Sequence, residues 1–309
     1  MRMVKKQVIK FINKNFKGNV EGKTIIITGG NSGIGFEAAR TCAYLKMNVI
    51  IAARSFERGN KAVESIKKEF PESQVSFMHV DMSEEESVKF FVKEIIDKKI
   101  DIDIFYHNAG IFRIPYQLKE NRELTISTNF YGPLMTNSLL NPYLNSLNHD
   151  VKMIITGSVA VRWSKITSDI LTPSPKLSRM RRYSNSKLMD SLLFKYLYDN
   201  DKSNIKYYMV HPGVCYTPLF KKTYKKLFGE IVDLVMHIFA NPAWKSALAA
   251  IKAISSDAVE GEFYGPTCMF NSVGYPHTNK FMNKRYGKEK ELIEQSENIV
   301  GYHLLTKKK

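Results

Sequence analysis

From residue 23 onward, short runs of apolar and β-branched residues alternate with longer stretches whose apolar positions recur every three or four residues. The short runs are KTIIIT (23–28), NVIIAA (48–53), QVSFMHV (74–80), IDIFYH (102–107), VKMIIT (151–156) and IKYYMV (205–210), and GEFYGPTCMF (261–270) reads as a last strand and its exit. Between them the spacing predicts helices over 34–45, 56–69, 84–98, 121–145 and 183–199. Strands that are apolar at successive positions are covered on both faces, and strands alternating with helices connect in parallel. The expectation is one doubly wound parallel α/β sheet of about seven strands with helices on both faces.

Two stretches fall outside this rhythm. Residues 1–20 place Val4, Val8, Phe11, Ile12 and Phe16 near one helical face, with Lys5, Lys6, Lys10, Lys14 and Lys17 mostly elsewhere. Such a basic amphipathic extension either lies on a membrane surface or packs on the domain itself. The main domain then spans 21–309. Within it, residues 217–240 look like amphipathic helices after a loop, placed as a lid over a substrate.

Composition narrows the class. Apolar residues make up 44% of the 309 and aromatics 12%, enough for a sizeable core. Cys42, Cys215 and Cys268 are too few and too scattered for a disulfide framework or a metal knuckle, so free thiols in a reducing compartment are expected, and no metal. No apolar run reaches the roughly 18 residues needed to cross a bilayer, and the N-terminus lacks a signal peptide's apolar core. The expected location is cytoplasmic, at a membrane surface if the N-terminal helix binds lipid. The net charge of +16 comes mainly from lysines spread along the chain, without a recognised nucleic-acid motif, so no nucleic-acid partner is expected.

The candidate chemistry begins after the first strand. There TGGNSGIG (28–35) leads into a helical pattern, and Gly29, Gly33 and Gly35 permit a tight turn, close approach to a pyrophosphate and close helix packing. Asn31, Ser32 and Ile34 fill the same loop. The glycine spacing differs from G-x-G-x-x-G. Further on, RRYSNSKLMDSLLF (181–194) sets Tyr183 and Lys187 four residues apart, so that both side chains reach one point from one helix face. Taken alone, such a pair is either an ordinary polar pair on a helix rim or a device for moving a proton.

With Thr28 before its glycines, the loop resembles that of the short-chain dehydrogenase/reductase family, whose single Rossmann-type domain matches the strand and helix order. The resemblance continues with Asp81 and Met82 at the third strand's end, where the family contacts adenine, and with HNAG (107–110), similar to the family's NNAG. There Asn108, Ala109 and Gly110 would line the cofactor floor, and His107 is a departure, read as a satisfied structural histidine. HPGVCYT (211–217) is similar to the family's PGxxxT element: Pro212 and Gly213 would turn the chain under the nicotinamide, Val214 would help bind the cofactor, and Thr217 would hold its carboxamide. The second strand ends in AARS with no acidic residue for a ribose 2′-hydroxyl. Arg54 stands there instead, either pairing with a 2′-phosphate, which favours NADP(H) over NAD(H), or stacking on adenine or facing solvent.

The resemblance also supplies companions for Tyr183 and Lys187: Ser158 in ITGSVA and Asn129 in STNFYGP. It implies that Tyr183 is the acid/base, that Lys187 stabilises its phenolate and binds the nicotinamide ribose, that Ser158 polarises the carbonyl, and that Asn129 positions a water. The physical requirement is a proton for the oxygen as a carbonyl carbon receives hydride; an ammonium beside a phenol favours the phenolate. The stretch from Asn108 through Leu140 and YSNSKLMDSLLF resemble the retinol-dehydrogenase-like branch. An apolar rim of Phe112, Tyr116, Trp163, Tyr216, Phe220, Tyr224 and Phe228 suits a hydrophobic aldehyde, ketone or alcohol, or else is closed-lid core. The expectation is an NADP(H)-dependent oxidoreductase, homo-oligomeric by resemblance. The alternative is a non-catalytic NADP(H)-binding scaffold or redox sensor.

Overall fold

The computed structural model describes residues 4–167, 170–172, 174–216, 240–268, 272–278 and 287–305. The strands of the main sheet are β1 (Thr24–Thr28), β2 (Asn48–Ala53), β3 (Val75–His79), β4 (Ile104–His107), β5 (Val151–Thr156), β6 (Ile205–Val210), β7 (Phe263–Cys268) and β8 (Val273–Thr278). They lie side by side in the order β8-β7-β6-β5-β4-β1-β2-β3. The first seven run parallel, and β8 returns antiparallel along β7.

The apolar runs sort by the two-residue period of a strand into two cores. Ile26, Ala52, Met78, Phe105, Met153 and Met209 face one way, and Ile25, Ile27, Ile51, Ile104, Ile154 and Tyr208 the other. On the first face lie helices α4 (Glu85–Asp97), α5 (Gly132–Asn145), α6 (Arg179–Asn200) and α8 (Glu289–Val300). On the second lie α1 (Lys6–Asn15), α2 (Gly33–Tyr44), α3 (Phe56–Glu69) and α7 (Ala243–Ile254). Burying one such Ile or Leu stabilises by roughly 1.5–3 kcal/mol, which is why both faces need their helices.

Three elements differ from the sequence expectation. An eighth strand extends the sheet: it carries Gly274 and Pro276, and an edge strand tolerates a proline because one side of it makes no ladder. The helix predicted from residue 121 starts later. Glu120 and Asn121 adopt φ of 49° and 58° and close a small hairpin between Leu118–Lys119 and Arg122–Glu123. Helical structure follows from Leu124, through a π turn at Ser127–Tyr131, into α5. Helix α6 begins before residue 183 because the Ser178 hydroxyl caps it, accepting from Arg181 N at 3.1 Å.

The N-terminal helix packs on the domain. Val8, Phe11 and Ile12 are buried, and the Phe11 ring stacks on Tyr275 of β8 with centroids 5.8 Å apart. Lys17 N donates to Ser255 Oγ at 2.8 Å, just past α7, while the lysines of residues 1–20 within the described part remain in solvent. Among the described residues no helix is long and apolar enough to cross a membrane.

The strand order reverses between β1 and β4, which opens a crevice at their C-terminal ends, where ligands bind in open α/β sheets. Both candidate cofactor loops, after β1 and after β4, leave the sheet there.

Candidate active site

Thr28, the last residue of β1, joins the two loops. Its Oγ1 accepts from the backbone N–H of Asn108 and of Ala109, each at 3.0 Å, and its carbonyl accepts from Asn108 Nδ2 at 2.9 Å. Gly29 and Gly33 adopt φ of 68° and 57°, in the left-handed region that favours glycine. A Cβ on Gly35 would lie 2.5 Å from the Gly29 carbonyl and crowd Asn108 Nδ2. Ser32 precedes α2 without a side-chain cap, and the first turn carries no acidic residue, so the helix start presents open backbone N–H groups to an anion. Asn31 and Ile34 lie half-buried in this loop. These features fit a dinucleotide pyrophosphate.

The Gly35 contact yields a prediction. Gly35→Ala is expected to weaken cofactor binding at least tenfold and to destabilise the fold by about 1–3 kcal/mol, because backbone is what must move. Calorimetric titration with NADPH and thermal unfolding check it.

At the far end of the crevice Arg54 is 58% exposed, and its Nη1 stands 3.9 Å from Asp81 Oδ2, a loose pair that leaves the guanidinium available. Burial works to raise Asp81, but hydrogen bonds from Ser83 and the charges of Lys119 and Arg54 hold its carboxyl below the usual range. Met82 beside it is buried. Lys119, 3.5 Å from Asp81, comes from the small hairpin and had no signature in the sequence.

The four candidate catalytic residues come from three segments. Asn129 sits in the π turn and is buried; its Nδ2 donates to Ser186 Oγ at 2.9 Å and to the Ile111 carbonyl at 3.1 Å, and its Oδ1 accepts from Ile111 N at 2.8 Å. It therefore locks α6 and the loop after β4 onto the π turn. Ser158 caps a short 3-10 turn, Val159–Trp163, its Oγ accepting from Ala160 N at 3.1 Å. Tyr183 lies half-buried on α6 with its ring edge-on to Phe112, centroids 4.7 Å apart.

Lys187 is buried, and its Nζ donates to the Thr156 carbonyl at 2.9 Å and to Asp190 Oδ2 at 2.8 Å. A Cβ on Gly110 would lie 3.3 Å from Asn129 Oδ1 and 3.9 Å from this Nζ, so the cofactor-floor loop abuts the catalytic group. Burial works against the charge on Lys187, but the fields of Asp190 and Tyr183 outweigh it and hold the ammonium above its ordinary value. Asp190 has no forerunner in the sequence reading, although its i+3 spacing from Lys187 is visible there.

Of the remaining predicted positions, His107 is buried; its Nε2 lies 3.2 Å from Asn137 Nδ2, and burial pushes it down to about 3, so the ring is neutral. Pro212, Gly213 and Val214 follow β6. Gly213 has φ 78°, and Val214 N donates to the Ser272 carbonyl at 2.7 Å, tying this element to the β7–β8 turn. Trp163 is exposed, and Tyr116 lies under the Arg182 guanidinium. Thr217, Phe220, Tyr224, Phe228 and all of the predicted lid except Ala240 lie outside the described residues, as does the Tyr216 side chain. The three cysteines are free, and burial pushes Cys42 and Cys215 up to about 12.

A family model described as short chain dehydrogenase matches residues 23–227. The chain is 32% identical over 209 residues to short-chain dehydrogenase TIC 32 B, chloroplastic, of Brassica napus, a match covering 64% of this chain and 65% of that protein. It thus spans slightly less than two thirds of that relative's length. To retinol dehydrogenase 14 of Homo sapiens it is 28% identical over 260 residues, covering 79% of this chain and 77% of the relative. The fold is also that of a crystal structure of a putative uncharacterized protein from Mycobacterium Paratuberculosis, with a TM-score of 0.72, 24% identity, and coverage of 94% of this chain and 97% of the other.

Proposed function

The chain belongs to the short-chain dehydrogenase family, in its retinol-dehydrogenase-like branch, and on that premise we propose that it is an NADP(H)-dependent oxidoreductase interconverting a hydrophobic aldehyde or ketone and its alcohol. The observation that carries this reading is the buried Lys187 ammonium, anchored on the Thr156 carbonyl two residues before Ser158 and one helical turn from Tyr183. That anchoring supports a cation, a phenol and a hydroxyl working together at this end of the sheet.

The nicotinamide ring, when bound, supplies or accepts the hydride. Everything else falls to the protein. Ser158 donates a hydrogen bond to the substrate oxygen, and Tyr183 gives that oxygen its proton as negative charge develops. The Lys187 ammonium stabilises the phenolate left behind and would bind the nicotinamide ribose. Asn129 holds the geometry: both its N–H groups are spent on Ile111 and Ser186, so its side chain fixes where Tyr183 and Lys187 stand. Phe112, edge-on to Tyr183, supports an aromatic substrate side. The test is absorbance at the reduced-nicotinamide band across hydrophobic aldehydes, ketones and alcohols; no turnover with either cofactor on any of them rejects the reading.

Arg54 supports the choice of cofactor, because its exposed guanidinium at the end of β2 stands where a carboxylate would repel a 2′-phosphate. Arg54→Ala is expected to raise the KM for NADPH about tenfold or more and that for NADH less than threefold, given the strength of charge-assisted phosphate contacts. Equal losses for both cofactors remove the 2′-phosphate assignment.

A further inference from the structure

Helix α6 carries a carboxylate that the chemistry above does not use. Asp190 is 1% exposed; its Oδ2 accepts from Lys187 Nζ at 2.8 Å, and its Oδ1 is buried with no hydrogen-bond partner among the described residues. The ammonium it holds is the one assigned to the phenolate, so an anion and a cation of equal size sit beside a group that must itself become an anion. Resting on the proposed oxidoreductase reading, we propose that Asp190 is a positioning residue that tethers the Lys187 ammonium against Thr156 and offsets its charge. Ionised Asp190 then restrains formation of the Tyr183 phenolate, keeping the phenol protonated and favouring carbonyl reduction, and neutralising Asp190 releases that restraint.

Burial pushes the Asp190 carboxyl up to about 6, with Lys187 pulling the other way. Among the described residues, Lys152 on β5 donates to the Ala253, Ile254 and Ser255 carbonyls, and other groups on the elements packed around α6 are paired or neutral. Glu123 pairs with Arg182 at 3.2 Å. Burial keeps His107 and the Tyr131 phenol uncharged. On β6, Lys206 pairs with Glu260 at 3.9 Å, while Tyr207 donates to Asp201 and is held neutral by burial. On α8, Glu294 and Glu297 act on Tyr196, further along the helix. Arg162 lies on the exposed side of the 3-10 turn.

A cofactor ribose that takes up part of the Lys187 hydrogen bonding weakens what keeps Asp190 ionised, so binding near pH 6 draws in a proton. The experiment is isothermal titration of NADPH into the intact protein at pH 6 in two buffers of different ionisation enthalpy, for wild type and Asp190→Asn, which keeps an acceptor and removes the charge. Wild type should take up a few tenths of a proton more than D190N, because the titration of the cofactor's own phosphate cancels in the difference. In alcohol oxidation the rising limb of the kcat/KM pH profile should move down by about one pH unit in D190N.

Equal proton counts and unmoved limbs overturn the proposal, since a purely structural role would change stability alone. Should D190N not fold, wild type decides by itself with NADH, which lacks the 2′-phosphate: a heat independent of buffer overturns the proposal, and proton uptake supports it. Differing proton counts with no turnover on any substrate would uphold Asp190's coupling to Lys187 and reject the oxidoreductase reading. Turnover that depends on Tyr183, with equal proton counts, does the reverse.

Discussion

Tyr183→Phe is expected to lower kcat/KM about 10³-fold in both directions while changing NADPH affinity less than about threefold, the scale of a lost general acid. The ring that remains still meets Phe112 edge-on, since that contact uses none of the hydroxyl. Lys187 keeps both of its anchors, Thr156 and Asp190, neither of which involves the phenol. What disappears is the proton source for the developing alkoxide. Ser158→Ala should cost less, because a hydrogen bond that polarises the carbonyl is lost but the acid remains. Steady-state rates at the reduced-nicotinamide band, with cofactor affinity measured separately, check the prediction. Turnover within threefold of wild type would mean that some other group delivers the proton.

The physical reasons that made parts of this molecule legible also explain what was not. A parallel sheet buried on both sides writes itself as continuous Ile, Val and Ala runs, so β1 to β6 stand at or within two residues of where the pattern places them. The phosphate loop is legible because positive φ at Gly29 and Gly33 and the crowding at Gly35 demand glycine. Helix α6 is different. Nearly all its faces are covered, and Ser184, Asn185, Ser186, Lys187, Asp190 and Ser191 are buried among apolar neighbours. A polar residue there carries no periodic mark of being inside, and a Lys and an Asp three apart read as one more solvated pair. The N-terminal helix was ambiguous for the converse reason: its apolar stripe was plain, but its partners, α7 and Tyr275, lie more than 200 residues away.

That buried pair supports the other large expected effect, in which stability and activity part company. Lys187→Met should abolish measurable turnover and destabilise the fold by about 3–5 kcal/mol, because it leaves the Asp190 carboxylate buried at 1% exposure with no cation. Some of that cost is avoided by protonating Asp190, so the destabilisation should shrink as pH falls. The double variant Lys187→Met with Asp190→Leu removes the stranded charge and puts an apolar side chain into a helix whose Met189 and Leu193 are core residues. Replacing a buried ion pair with packed apolar groups is commonly neutral or better, so most of the stability should return. Turnover should not, because no ammonium is left to hold the phenolate or the ribose. Urea unfolding at pH 7.5 and pH 5.5, with kcat/KM on the same preparations, tests this. If the single variant is as stable as wild type, or the double variant no more stable than the single one, the Lys187–Asp190 contact does not carry the charge balance ascribed to it. If the double variant regains turnover along with stability, Lys187 is a structural residue and the catalytic assignment falls.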